Sequence, residues 1–148
     1  MSIYTIGFTK KNAAHFFELL HTSGAKRVVD VRLNNVSQLA GFAKRDDLAY
    51  FLRRICSMDY VHLPELAPTQ ELLDRYKKDG GSWDDYERAF LDLMHAREVE
   101  KHVSRETIID GCLLCSEDKP HHCHRRLVAE YLGERWGLAA ALDVVHLV

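Results

Sequence analysis

The sequence lacks an apolar run of the eighteen or so residues that a bilayer-spanning helix needs, so no membrane segment is predicted. Its first residues, MSIYTIGFTKKN, lack a charged-then-apolar leader, and we expect a cytoplasmic protein. Repeats, low-complexity segments and linkers are also missing. A net charge of −2 supplies no overall basic field, which argues against general nucleic-acid binding through phosphate neutralisation.

Three motifs that handle phosphate are missing as well. No G-x-G-x-x-G follows the first predicted strand, and G-x-x-x-x-G-K-[ST] does not occur, so the dinucleotide-binding and P-loop classes lack support. A phosphatase-like C-x5-R beginning at Cys115 is absent, because the required position holds His121. The chain has only four cysteines and no secretory signal, which predicts reduced thiols rather than a disulfide framework.

The length of 148 residues fits one domain, residues 1–148, with a single core. Short β-branched runs alternate with amphipathic segments. The predicted strands are residues 3–8, 27–32, 59–64, 111–116 and 142–148, and the predicted helices are residues 12–24, 45–57, 69–81, 82–103 and 122–137. Nearly apolar strands separated by helices are typical of a mostly parallel sheet that is buried on both faces. We therefore predict a three-layer α/β domain of about five strands, with Rossmann-like or flavodoxin-like strand order left open.

Polar side chains stand where the predicted strands end, which is the edge at which open α/β sheets bind ligands. Asp30 and Arg32 are two residues apart, so a strand places both on one face. Charges there are costly unless they are paired or functional. A structural ion pair is one interpretation, and an anion-holding arginine beside an acid/base aspartate is the other. His62 is interpreted as a structural histidine, and Gly7 as a point of close ligand approach.

The segment LLCSEDKPHHCHRR (113–126) concentrates cysteine, histidine and arginine. Its C-x-x-C is not a metal knuckle, because residues three apart on a strand point to opposite faces, and Cys112 is predicted to be core. A three-ligand zinc site from Cys115, Cys123 and one histidine stays open as an alternative. That histidine is His121, His122 or His124. The spacing matches no common zinc pattern, so no metal ligand and no cofactor is assigned.

The same segment also suits an activated thiol. Cys115 would stand at the end of the fourth strand, and Cys123 in the first turn of the following helix. Free N–H groups at a helix start attract anions and lower the pKa of a thiol. His124, Arg125 and Arg126 add positive charge nearby. A capped helix with solvated histidines and arginines is the simpler interpretation, and we favour a ligand site over it.

The motifs TIGF, VVDVR, GFAK, YVHLPEL and LLCSEDKPHHCHRRLVAEYL together resemble the prokaryotic family called domain of unknown function 488. The resemblance covers nearly the whole chain, and its most specific element is C-x-E followed by C-H-R. It implies a compact α/β domain and a site location, without a reaction. Many members have P-x-S-R after the D-V-R, where this chain has Asn35, Ser37 and Gln38. Carried over by motif, the site residues are Thr5, Gly7, Asp30, Arg32, Ser37, Cys115, Glu117, Cys123, His124 and Arg125.

The leading hypothesis is an enzyme, or an enzyme-like binder, of an anionic small molecule such as a nucleotide or a phosphorylated metabolite. Arg32, Arg125 and the helix start near Cys123 would bind the anion. The catalytic candidates are Cys115 as the thiol and Asp30 or Glu117 as the acid/base.

A nucleic-acid-associated module is a second hypothesis. It would use a local basic patch, with no requirement for a basic protein overall. The patch residues are Lys44, Arg45, Arg53 and Arg54. These side chains are more simply interpreted as solvated helix faces.

Overall fold

The computed structural model describes residues 1–36 and 40–148. Its five strands are β1 (Ser2–Gly7), β2 (Arg27–Asp30), β3 (Asp59–His62), β4 (Gly111–Cys115) and β5 (Asp143–Leu147). They form one sheet in the order β3-β2-β4-β1-β5, and every neighbouring pair is parallel. The predicted α/β class and strand number are therefore confirmed, and the sheet is parallel throughout.

Seven α-helices lie in the described part of the chain; six fall within the predicted helical segments, and the short helix Arg105–Ile108 was not predicted. They are α1 (Ala13–Ser23), α2 (Arg45–Phe51), α3 (Gln70–Lys77), α4 (Trp83–Arg97), α5 (Val99–His102), α6 (Arg105–Ile108) and α7 (His124–Arg135). The side chains of Asn12 and Ser82 cap α1 and α4 by accepting hydrogen bonds from the backbone N–H groups of His15 and Asp85. The predicted helix 82–103 divides, because Glu98 adopts a left-handed conformation at φ 51°. No helix within residues 1–36 and 40–148 is long and apolar enough to cross a membrane.

The helices cover both faces of the sheet. On one face, Phe16 and Leu20 of α1 pack with Leu48 of α2. On the other, Phe90 of α4 packs with Leu127 of α7. β4 is buried along its whole length, and its side chains alternate between the two cores, as expected for a central strand. This arrangement is the predicted three-layer domain.

The ends of β2 and β4 are adjacent, and the chain leaves them toward opposite faces. The segment after β2 leads to α2, whereas the segment after β4 leads to α7. Such a divergence opens a crevice at the carboxyl edge of a parallel sheet, where α/β proteins bind ligands. The sequence left the strand order open, so only the fold identifies this pair of strand ends.

Candidate functional site

A cavity of about 290 Å³ lies at the carboxyl ends of β2 and β4. Its walls come from the segments that follow these two strands, from the start of α7, and from α3 and α4. The lining residues are Arg32, Leu33, Asn34, Pro68, Leu73, Tyr76, Lys77, Trp83, Tyr86, Cys115, Ser116, Glu117, His122, Cys123 and His124. A cavity of this size suits a small molecule.

Arg32 and Asp30 form a buried, two-point ion pair beside the cavity. Arg32 donates from Nε to Asp30 Oδ1 and from Nη2 to Asp30 Oδ2, both at 2.9 Å. The Arg32 backbone N–H also donates to Oδ1 at 3.1 Å. The side chain of Arg32 is 2% exposed. Its Nη1 is buried and has no hydrogen-bond partner among residues 1–36 and 40–148.

The Asp30 carboxylate has further partners that hold it in place. Tyr60 donates its hydroxyl to Oδ2, and the Asn35 side-chain amide donates to the same oxygen at 3.4 Å. Burial and the hydrogen bond to Asp30 raise the pKa of Tyr60. His62 donates from Nε2 to the backbone carbonyl of Arg32 at 2.9 Å, which is a structural contact of the kind predicted for it. Asp30 therefore orients Arg32.

Cys115 and Cys123 meet at the floor of the cavity. Their sulfur atoms are 2.02 Å apart, a disulfide in this structure, and their Cα atoms are 7.5 Å apart. The prediction of reduced thiols is therefore wrong for this pair, because the 116–122 loop folds the start of α7 back onto the end of β4. Cys56 and Cys112 are free, and Cys112 lies in the core on the opposite face from Cys115, as predicted.

His124 adjoins the two sulfurs. One of its ring nitrogens and the two Sγ atoms all lie within 4.8 Å of one another. Its Nε2 lies 2.7 Å from the backbone carbonyl of Val31, and because a carbonyl only accepts, Nε2 carries the hydrogen. Burial lowers the pKa of His124 to about 4, so the ring is neutral near pH 7. Nδ1 then carries a lone pair.

Arg125 is fully buried, and its two terminal nitrogens donate to the loop after β4, whereas its Nε has no hydrogen-bond partner among the described residues. Nη1 lies 3.4 Å from Cys115 Sγ and also donates to the Glu117 carbonyl, while Nη2 donates to the Asp118 carbonyl at 3.3 Å. Burial lowers the pKa of Arg125 to about 10. This arginine, predicted as an anion ligand, binds backbone carbonyls of its own chain.

Gly7 explains how closely that loop approaches the sheet. A Cβ atom at this position would lie 1.6 Å from the Glu117 carbonyl oxygen and 2.7 Å from Arg125 Nη1. The sequence predicts close approach at Gly7, and the group that comes close is the protein's own loop. Thr5 is buried, and its hydroxyl shares a 2.6 Å hydrogen bond with His146 Nδ1 of β5.

An aromatic wall closes the other side of the cavity. The Trp83 ring stacks on His122 with centroids 5.0 Å apart, and on Tyr86 at 5.1 Å. Tyr76 contacts both Trp83 and Tyr86 through its ring, at 5.6 and 5.1 Å. We define the aromatic wall as Tyr76, Trp83, Tyr86 and His122. No sequence pattern predicts this wall, because Trp83 and Tyr86 are three residues apart, a spacing that is also typical of one buried face of a helix.

A second ion pair stands at the cavity. Lys77 Nζ lies 2.9 Å from Glu117 Oε1, and both side chains are about half exposed. Lys77 was not predicted as a site residue. Glu117 belongs to the predicted site, and its side chain is the more accessible of the two predicted carboxylates, since Asp30 is fully buried.

The structure brings five of the predicted site residues to the cavity. They are Arg32, Cys115, Glu117, Cys123 and His124. Asp30, Gly7 and Arg125 support these residues or their loop, and Thr5 bonds the neighbouring strand. Ser37 lies outside the described residues.

Two other features lie away from this cavity. A larger groove of about 830 Å³ is lined by α1, α2 and residues near them, mostly through apolar side chains, rather than by the residues that follow the strands. The basic residues of the nucleic-acid hypothesis are on or beside the α2 segment. Lys44, Arg45, Arg53 and Arg54 are all exposed, as a solvated helix face predicts.

Comparison with known proteins gives one match. The family model described as "Domain of unknown function DUF488" matches residues 12–132, which is more than half of the chain and includes the segments that carry the cavity. No curated protein and no solved structure matches.

Proposed function

We propose that this chain, which belongs to the DUF488 family, binds a small anion that carries a flat ring system, in the cavity at the ends of β2 and β4. A nucleoside monophosphate has the required chemistry, because it joins a flat ring system to a phosphate. The ring would lie against the aromatic wall, and the phosphate would reach Arg32.

The observation that carries this proposal is the guanidinium of Arg32. Two of its nitrogens are held by Asp30, while Nη1 has no partner within the described part of the chain. A buried charged donor without a partner costs free energy, and an anion at this position would recover it. Because Asp30 fixes the plane of the guanidinium, Nη1 points in one direction before any ligand arrives.

The aromatic wall supports a planar ligand group. Trp83 stacks on His122 at 19° and on Tyr86 at 24°, so these rings already form a layered surface. Flat heteroaromatic rings bind to such surfaces, and stacking of a nucleobase on an aromatic side chain contributes about 1–3 kcal/mol. Lys77 adds a positive charge at the cavity. A ligand phosphate can replace Glu117 as the ion-pair partner of Lys77, because this pair is about half exposed.

Reaction chemistry at this site would fall to Glu117 and Cys115. Glu117 lines the cavity and is about half exposed, so it can reach a proton on a bound molecule. Cys115 lines the floor in a disulfide with Cys123, and after reduction of that disulfide by an added thiol, Arg125 Nη1, at 3.4 Å from its sulfur, would stabilise its thiolate. Asp30 is committed to Arg32, so we assign it a positioning role.

Tryptophan fluorescence tests the proposal. The chain has two tryptophans. Trp83 belongs to the aromatic wall, whereas Trp136 donates from its indole to the Glu100 carbonyl at 2.9 Å. In a Trp136→Phe variant, titration with AMP should quench the emission of Trp83. In a Trp83→Phe variant, AMP should leave the emission of Trp136 unchanged.

Calorimetry with AMP then separates the cationic contacts. Lys77→Ala should weaken AMP binding about 2- to 5-fold, the range of an exposed ion pair. Lys78→Ala is the matched control, since Lys78 pairs with Asp74 and does not line the cavity. Arg32→Lys should weaken AMP binding at least about 10-fold, because a single lysine ammonium cannot both pair with Asp30 through two nitrogens and donate to the phosphate through a third. Absence of AMP binding to the folded chain, or equal effects of the two lysine variants, would overturn the proposal.

A further inference from the structure

We infer that the protein binds a zinc-class metal ion between Cys115, Cys123 and His124 once a dithiol reductant has opened the Cys115–Cys123 disulfide and has itself been oxidised to a disulfide. One coordination position of the ion is open to the cavity. This site does not depend on the ring-bearing anion proposed above. It is built from side chains of β4 and of the start of α7.

The three donor atoms can reach one ion once the Cys115–Cys123 disulfide is reduced and its two sulfurs move apart. The three donor atoms lie within 4.8 Å of one another. Around a tetrahedral zinc, with bonds of about 2.3 Å to sulfur and about 2.0 Å to nitrogen, donors lie roughly 3.5–3.8 Å apart. The Cα atoms of the cysteines are 7.5 Å apart, beyond the roughly 4.4–6.8 Å that disulfides usually span. A bridging ion suits that separation, because it places an atom between the two sulfurs.

The histidine is oriented as a metal ligand should be. Its Nε2 donates to the Val31 carbonyl at 2.7 Å, which fixes the ring and leaves the lone pair on Nδ1. Metal-bound histidines nearly always donate their other ring nitrogen to a carboxylate or a carbonyl in this manner. The contact holds α7 to the segment after β2, so the ligand is set by the tertiary structure.

The charges of the donor groups also favour a divalent cation. Two thiolates and a divalent ion are neutral together, which reduces the cost of burying them. Cys115 and Cys123 are 2% and 3% exposed. The guanidinium of Arg125 lies 3.4 Å from Cys115 Sγ and stabilises its anionic form.

The fourth position would be supplied from outside the chain. Among the residues that the structure describes, the metal-binding group contains these three side chains and no other. All three line the strand-end cavity. Zinc sites with three protein ligands and an accessible fourth position bind water or a substrate, whereas structural sites use four protein ligands. Metal at this position would therefore face whatever molecule occupies the cavity.

Cobalt titration of the reduced, metal-free protein tests the site. Co²⁺ should bind one per chain and give the thiolate-to-cobalt charge-transfer band together with the visible absorption of a tetrahedral ion. Zn²⁺ should displace it and abolish the visible absorption. Cys123→Ser should lose the charge-transfer intensity of one thiolate and bind at least about 10-fold more weakly. Cys56→Ser is the matched control, since Cys56 is a free cysteine outside the site, and its spectrum should be unchanged.

His124→Gln separates ligation from folding, because glutamine can still donate to the Val31 carbonyl but offers no ring nitrogen. It should weaken cobalt binding while the circular dichroism stays unchanged. Alkylation mapped by mass spectrometry gives an independent measurement on the unmodified sequence: Zn²⁺ should protect Cys115 and Cys123 and leave Cys56 as reactive as before. Equal spectra for the two serine variants, or no protection by Zn²⁺ in protein with four titratable thiols, would overturn the inference.

These outcomes are separable from those of AMP binding. The metal experiments contain no nucleotide, and AMP binding is measured on metal-free protein. If the protein binds AMP but gives no cobalt spectrum, only the metal-site inference is refuted. If it gives the expected cobalt spectrum but does not bind AMP, only the proposed function is refuted.

Discussion

Replacing Gly7 by alanine should destabilise this protein far more than a change of one methyl group usually does. The new Cβ atom would lie 1.6 Å from the Glu117 carbonyl oxygen, whereas real Cβ contacts essentially never fall below 3.0 Å. The loop after β4 must therefore retreat by at least 1.4 Å, which is the difference between these distances. The contacted atom belongs to the backbone, so a change of side-chain rotamer cannot relieve the clash.

The magnitude follows from what that movement breaks. Arg125 Nη1 donates to the same carbonyl, and Arg125 is fully buried. Overpacking costs about 1–3 kcal/mol, and a lost hydrogen bond to a charged group adds about 1.5–3 kcal/mol. We expect the free energy of unfolding to fall by about 3 kcal/mol or more.

Urea denaturation followed by far-ultraviolet circular dichroism measures this change. Gly41→Ala is the matched control, because a Cβ atom at Gly41 would meet nothing within 4 Å. That variant should lie within about 1 kcal/mol of the wild type, on the stabilising side if the backbone tolerates alanine. If the two variants unfolded within about 0.5 kcal/mol of each other, the close packing of the loop against Gly7 would be refuted.

Three other perturbations are informative. Asp30→Asn leaves the buried guanidinium of Arg32 without its counter-charge and should reduce the free energy of unfolding by about 3–5 kcal/mol in the same assay, whereas a loss below about 1 kcal/mol would show that the pair is not buried. The hydrogen bond from Lys11 lowers the pKa of Asp118, so this carboxylate stabilises the fold above its ordinary pKa and loses that contribution as the pH falls through the lowered value. The stability difference between wild type and Asp118→Asn should therefore be present at pH 7 and shrink below about pH 4, and a difference independent of pH would contradict the ion pair. Phe90→Ala removes a fully buried ring from the core and should cost about 3–5 kcal/mol, measured as a shift of the urea midpoint at unchanged slope.

The two proposed ligands would bind to different parts of one cavity. Arg32 and the aromatic wall suit an anion that carries a flat ring system, and the cysteine–histidine group on the floor suits a metal ion. A divalent ion with an open position attracts anionic ligands as well. If both bind together, AMP affinity should rise when the metal is present, and calorimetry with and without Zn²⁺ measures that coupling.

The sequence alone determined most element types and indicated the edge of the sheet at which the cavity lies. Apolar runs of strand length between amphipathic segments predict a parallel α/β sheet, because each element is recognised from its local periodicity. The separation of Cys112 from Cys115 follows from the alternation of side chains along one strand. Asp30 and Arg32 are predicted to be a pair because two charges at the end of so apolar a run need each other or a ligand. The structure ends β2 at Asp30, and Arg32, which follows the strand, pairs with that carboxylate.

Tertiary structure decided everything that depends on residues distant in sequence. The order β3-β2-β4-β1-β5 places the ends of β2 and β4 side by side, and no local pattern encodes that pairing. Trp83 and Tyr86 have the spacing of core residues, and only the packing of α3 and α4 makes them a cavity wall. Arg125 sits in a motif that suggests a ligand, yet its nearest acceptors are backbone carbonyls of the loop after β4. A side chain's partners are set by which segments the fold brings within a few ångströms, and periodicity along the chain carries no information about that.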